Sequence, residues 1–469
     1  MKTSKYIVAI SLLLFSSSCT DNFLDLAPIS NMNESNFFET EKDFSSAVNG
    51  AYRTLYNIYA AESAVARTEQ MSDNCTMYQI SGNASDHYQF KDYTLLPSNS
   101  WVEIYWTTYY SSLFVINKVI EKLPNSSFDA NTKAKYEAEM RFLRAIYYFN
   151  MVRLWGDLPL LLKPVSVTES YDIARTPVDK VYAQIISDLV FAESNLPLLS
   201  KTERIGQASK GAAQGMLGKV YATRGDINNA ITYLKKVIDS QEYSLLPSYS
   251  QLWDLKNENS KEALFEIQFI RGLDKPASRY WQMFNPFERI NSGGGLNQVT
   301  DNLWNDFEAG DARRDLSIDV GFTHGGAWVA QKFTKKWNDL NSVISGQQRF
   351  SENNFIVLRY ADILLLYAEL TKDAVYLNMI RSRAGVPAWG TSGYPIDKYP
   401  TLDLAIEHER RVELALEFHR WFDLKRTNRA IPVLTAAKGK TIESWRLLLP
   451  VPQTVIDQNP GTIVQNDKY

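Results

Sequence analysis

Cysteine and histidine are nearly absent, at 2 and 4 residues in a chain of 469. One cysteine, Cys19, stands directly behind an apolar run at the start of the chain. Cys75 is then left without a partner, so the fold rests on its core without disulfides. The histidines are scattered and make no metal cluster. The run from Glu407 to His419 fails as a zinc helix because Val412, not a second histidine, stands four residues after His408. His419 would lie about 16 Å further along a continuous helix. Positive charge is not in excess either: 50 Lys and Arg stand against 53 Asp and Glu, which argues against a nucleic-acid partner. Ser292-Gly293-Gly294-Gly295 lacks the Gly-Lys-Ser/Thr ending of a phosphate loop, and no G-x-S-x-G nucleophile elbow occurs. No carboxylate pair stands out as a glycosidase pair. The residues therefore assign no catalytic group, cofactor or metal. Beyond the N-terminus no apolar stretch reaches the roughly 18 residues of a membrane span. No Pro/Gly/Ser linker divides the chain.

What is present begins with the N-terminus. Lys2 and Lys5 precede the apolar stretch Ile7–Phe15, which runs through Ser16-Ser17-Ser18 into Cys19. This is a charged region, a short apolar region and a small-residue cleavage site, so 1–18 is expected to be a removed signal. A cysteine at that junction is where bacterial lipoproteins are acylated, although Ser16 stands where a large apolar residue is usual. Cys19 is therefore the expected lipid attachment residue, with 19–40 a tether and 41–469 a single domain. More than one acyl chain holds such a protein firmly, each buried CH₂ contributing ~0.8 kcal/mol.

Apolar residues recur at helical spacing over 41–60, 100–123, 132–155, 176–195, 211–239, 358–384 and 402–426, which predicts an all-α protein. In the fifth stretch Leu217, Gly218, Tyr221, Gly225, Ala230 and Leu234 fall at the offsets of a tetratricopeptide (TPR) repeat. Along 407–419 the alternating Glu and Arg residues read as i,i+4 ion pairs within the helix, with Glu409 and Glu413 flanking Arg410 and Arg411. Between about 240 and 357 short strand-like runs replace the helical pattern, a loop-rich insertion holding Trp281, Trp304, Trp328 and Trp337. A second irregular stretch, 66–100, carries Asp73, Asn74, Tyr78, Asn83, His87 and Tyr88.

Long loops on a helical scaffold are where ligand contacts sit. Flat aromatic faces beside amides and carboxylates suit sugars, which are apolar on one side and hydroxylated at the edges. The candidate ligand contacts are Tyr280, Trp281 and Trp328 in the insertion, with Asp73, Asn74, Tyr78, Asn83 and His87 in the earlier loop. Trp155, Trp421 and Trp445 lie in apolar surroundings and read as core.

Several strings together resemble the SusD/RagB family of surface nutrient-binding lipoproteins. They are Cys19-Thr20-Asp21-Asn22-Phe23-Leu24-Asp25, the helix Glu139–Phe149 leading to Leu154-Trp155-Gly156-Asp157-Leu158-Pro159, the runs Leu358–Glu369 and Leu377–Gly385, then Arg420–Arg426 and Leu449-Pro450-Val451-Pro452 with Asn459-Pro460. The resemblance implies TPR-like helical hairpins forming a right-handed scaffold, lipid-anchored at the outer membrane and facing the cell exterior. It also implies a non-catalytic protein that captures oligosaccharide, or in some members peptide, as a lid on a SusC-like TonB-dependent transporter. The matching strings are scaffold, so no ligand residue carries over from them. A TPR scaffold for protein partners, and glycoside hydrolysis, are the competing readings.

Overall fold

The computed structural model describes residues 37–78, 85–272, 276–290, 293–339 and 351–469. Helices dominate, and the longer ones arise where the spacing predicts them. They are α1 (Glu41–Ile58), α2 (Ala64–Met71), α3 (Ser85–Asp92), α4 (Ser100–Lys122), α5 (Ala130–Trp155), α6 (Val178–Asn195), α7 (Lys210–Arg224), α8 (Ile227–Asp239), α9 (Tyr360–Thr371), α10 (Ala374–Ala384), α11 (Leu402–Glu413), α12 (Arg420–Arg426) and α13 (Ala430–Lys438). Local chemistry sets the ends. At α1 the Thr40 hydroxyl accepts from Asp43 N while the Asp43 carboxylate accepts from Thr40 N, a capping box. Phe44, Val48, Ala51, Leu55 and Ile58 then form its buried stripe.

The TPR signature folds as read. Gly225 ends α7 in the left-handed conformation at φ +77°, and Asp226 caps α8 by accepting from Asn229 N. A Cβ on Gly218 would meet Leu234 Cδ2 at 2.5 Å, so glycine lets the two helices close on each other. Lys372 and Asp373 make the same turn between α9 and α10. From α5 to α11 each helix packs on the next, in helical pairs. Arg144 on α5 clamps Asp188 on α6 through Nε and Nη2, each at 2.8 Å, inside that stack.

Three expectations are corrected. The stretch 66–100 is not wholly irregular, since α2 begins at Ala64 under a Ser63 cap and α3 follows. The helix over 402–426 breaks at 414–419, where Leu416 and Phe418 are left-handed at φ 68° and 65°. The charges of α11 do not pair along its surface. Arg410, Arg411, Glu409 and Glu413 are buried and reach other elements: Arg410 meets Asp362 and Asp423, Arg411 meets Asp306 and Asp73, and Glu409 meets Arg313 and Arg381.

Short strands lie in the insertion, as its sequence predicts, with one more, β1, in the earlier irregular stretch. They are β1 (Cys75–Thr76), β2 (Ala263–Ile267), β3 (Gln298–Val299), β4 (Ile318–Asp319), β5 (Phe322–His324), β6 (Ala327–Val329), β7 (Phe333–Thr334) and β8 (Phe355–Arg359). All four pairings, β1 with β3, β2 with β8, β4 with β7 and β5 with β6, are antiparallel. Val299 N also donates to Lys332 O at 3.0 Å, tying β3 to the start of β7.

Candidate functional site

The pairing of β1 with β3 joins the two irregular stretches that the sequence singled out. Cys75 faces Val299 and Thr76 faces Gln298, so the loop after α2 and the insertion share one patch of sheet. Gln331 Nε2 donates to Gln298 Oε1 at 2.7 Å and locks the third segment to it. Tyr78 follows β1, and the β5–β6 hairpin stands between β4 and β7.

The hairpin turns at Gly325-Gly326, both at positive φ (54° and 82°), which glycine adopts without strain. Trp328 pairs across it with Thr323 and is 63% exposed. Its ring lies on the main chain at Gly321, where a Cβ would meet Trp328 Cζ2 at 2.4 Å. One edge of the indole is thus seated on backbone while the rest faces water, an apolar platform of the kind sugar rings stack on. Trp304 is half-buried and flanked by the Arg314 guanidinium at 4.5 Å and the Lys332 ammonium at 5.9 Å.

The other sequence candidates separate by burial. Tyr78 is 45% exposed. His87 is half-buried, its ring tilted over Trp101 with centroids 5.0 Å apart. Burial, and then the neighbouring Arg67 charge, push its pKa down to about 4, so it is neutral near pH 7. Asp73, Asn74, Tyr280 and Trp281 are buried, and loop position misplaced them as contacts. Asp73 accepts from Arg420 Nε and Nη2 at 2.9 and 3.0 Å; burial would raise its pKa, but Arg420 and Arg411 outweigh that and hold it low. Asn74 bonds Glu69 and Arg411. Tyr280 donates its hydroxyl to Tyr59 O, and Trp281 lies under the Arg289 guanidinium at 5.0 Å. Asn83 and Cys19 lie outside the described residues.

Beneath this face runs a charge network that sequence reasoning missed. Arg313 joins Asp311, Glu409 and Glu413; Arg359 joins Glu262, Glu413 and Glu417; Arg383 joins Glu262 and Glu413. Burial opposes ionisation of Glu413, but Arg383, Arg359 and Arg313 together hold its carboxyl well below the usual range. The sequence signal was present as Glu and Arg crowded between apolar residues in α11, but its partners lie in distant segments. Glu308, His408 and Glu409 bring donor atoms within 4.8 Å of one another, a spacing open to a metal ion. Arg381 Nη1 sits between those carboxylates at 2.7 and 2.9 Å, so a guanidinium already supplies the positive charge there.

A TPR-like helical scaffold carrying one aromatic, strand-stitched loop face defines the class. Two family models match it in complementary parts: the SusD family over 279–469, and one described as "starch-binding associating with outer membrane" over 22–222. SusD-like protein P2 of Formosa agariphila is 28% identical over 90% of both chains. A SusD-like protein of Bacteroides ovatus is 26% identical over 92% of this chain and 84% of its own. The solved structure of a laminarin-binding SusD-like protein superposes with a TM-score of 0.79 at 26% identity, over 92% of this chain and all of that one. Over most of its length the chain is thus similar to proteins of the SusD family.

Proposed function

We propose that this protein captures oligo- or polysaccharide at the bacterial surface and delivers it to a SusC-like TonB-dependent transporter, held at the outer membrane by acyl chains on Cys19. The observation that carries the reading is Trp328, a large aromatic 63% exposed to water yet seated on backbone at Gly321. An indole left mostly in water gains little for folding, and its fixed face is suited to stacking on a sugar. A glycan ligand agrees with the family's description as starch-binding and with the laminarin-binding relative. Micromolar to millimolar affinity suffices when a partner barrel raises the effective concentration.

The test is affinity electrophoresis against a panel of neutral glucans including laminarin and starch. Trp328→Ala is expected to abolish retention with an unchanged Tm. Undiminished retention by that variant, or reducing ends released from glycan by the pure protein, would refute the reading. Mass spectrometry of the mature N-terminus checks the acyl chains at Cys19.

A further inference from the structure

Eight arginines are buried among the described residues, and seven of them meet a carboxylate. Arg67 on α2 does not. It is 1% exposed; its Nε donates to Tyr105 Oη at 3.0 Å, while Nη1 and Nη2 are buried without a hydrogen-bond partner. Aromatic faces rather than anions surround it, with Trp101 at 5.2 Å and Phe90 at 5.8 Å from the guanidinium carbon. An isolated buried charge is among the costliest features a fold can hold, and buried charges are otherwise paired.

Other unspent polar atoms lie near it, on α2 and on neighbouring segments. Gln70, fully buried and one turn on along α2, has neither amide atom bonded. His87 Nδ1 is buried and unpartnered, on a ring that shares Trp101 with Arg67. Asn297 donates to Ala66 O at 3.1 Å and leaves its Oδ1 without a donor. The His87 and Trp101 rings are half-buried, so the cluster reaches the edge of the core.

We propose that Arg67 and Gln70, with His87 at the rim, form a subsite for a single carboxylate group. One N–H from each of the two free NH₂ groups of the guanidinium matches the two oxygens of a carboxylate in a fork, and a monoanion balances the one unpaired cation. The apolar walls suit a compact planar acid better than a strongly hydrated dianion. Two sources carry this chemistry: the carboxylate of an acidic sugar, such as a uronate in a captured glycan, and a free small organic acid. The glycan arm rests on the function proposed above; the free-acid arm does not.

The purified protein is titrated with acetate against chloride at constant ionic strength, and with an oligogalacturonate against a neutral gluco-oligosaccharide of equal length, following Tm and binding heat. Wild type is expected to gain Tm saturably with acetate and oligogalacturonate and not with chloride. Arg67→Lys, which keeps the charge and loses the fork, is expected to weaken carboxylate binding by about tenfold or more. Arg67→Met is expected to abolish it without lowering Tm in carboxylate-free buffer, because an unpaired buried charge has been removed. Oligogalacturonate binding more than about tenfold tighter than acetate assigns the site to a glycan-borne acid, and equal affinities assign it to the free acid. A flat wild-type response to both carboxylates, chloride equal to acetate, or a Tm loss of several degrees in carboxylate-free Arg67→Met overturns the proposal, the last by showing that ordered water satisfies the guanidinium. Should Arg67→Met not fold, the wild-type and Arg67→Lys titrations decide. Trp328→Ala is expected to keep the acetate response, and Arg67→Met to keep neutral-glucan retention, so failure of one reading is distinguishable from failure of the other.

Discussion

Asp188→Asn tests whether the helical stack depends on its buried ion pairs. Asp188 is fully buried and accepts two hydrogen bonds from Arg144, each at 2.8 Å, and one from Gln184 at 2.9 Å. Arg144 is 4% exposed, and its remaining acceptors are the neutral Asn117 Oδ1 and Leu162 O. Asparagine removes the charge and turns an NH₂ toward a guanidinium that is itself all donor. Breaking a buried pair from one side costs about 3–5 kcal/mol. With an unfolding entropy of about 2.1 cal/mol/K per residue over a body of roughly 400 residues, that is a fall in Tm of about 4–6 °C. Thermal and urea melts read it directly. The double variant Arg144→Met/Asp188→Leu removes both charges and is expected to recover most of the loss, since apolar replacement of a buried pair is often neutral. A single-variant loss below about 1 kcal/mol, or a double variant no more stable than the single one, would refute the reasoning.

Glu258 gives a pH prediction. Burial, and then Glu266, Glu352 and Asp339 nearby, push its pKa up to about 8. A carboxyl raised in the folded state is protonated there while the unfolded chain has already ionised, so its contribution to stability is lost as pH rises from the ordinary Glu range of about 4.3 to about 8. Glu258→Gln is therefore expected to be more stable than wild type at pH 9 and equal to it at pH 4; the reverse order in urea melts counts against this. Gly321→Val places a Cβ 2.4 Å from Trp328 Cζ2 and 2.5 Å from Val329 O, so glucan retention should fall as it does for Trp328→Ala. Retention at the wild-type level would show that the seating of the indole is irrelevant. Gly218→Val drives a side chain into Leu234 and should cost about 1–3 kcal/mol in a melt, as overpacked cores do.

The helical hairpins were legible because their signals are local. Spacing at 3.6 residues, Gly225 after α7 and Gly218 against Leu234 all act within one helix or between neighbours, and the chain folds there as read. The candidate site was legible by region only. Trp328 and Tyr78 are exposed, but Asp73 and Asn74 face Arg411 and Arg420, more than three hundred residues away, and Tyr280 reaches Tyr59. Burial of a loop residue depends on what another segment lays over it, and residue type does not carry that information.

The sequence by itself determined the helical class and the resemblance to SusD-like proteins, because both are written in contiguous residues. Only the tertiary structure decided where the charges of α11 go. The alternating Glu and Arg residues suggest ion pairs within one helix, yet Glu409, Arg410, Arg411 and Glu413 each turn inward to a partner on another element, since desolvated charges must find an opposite charge within about 4 Å wherever the chain brings it. The same rule isolates Arg67. In the sequence it is one basic residue among fifty; in the fold, among the described residues, it is the buried arginine that forms no ion pair with a carboxylate.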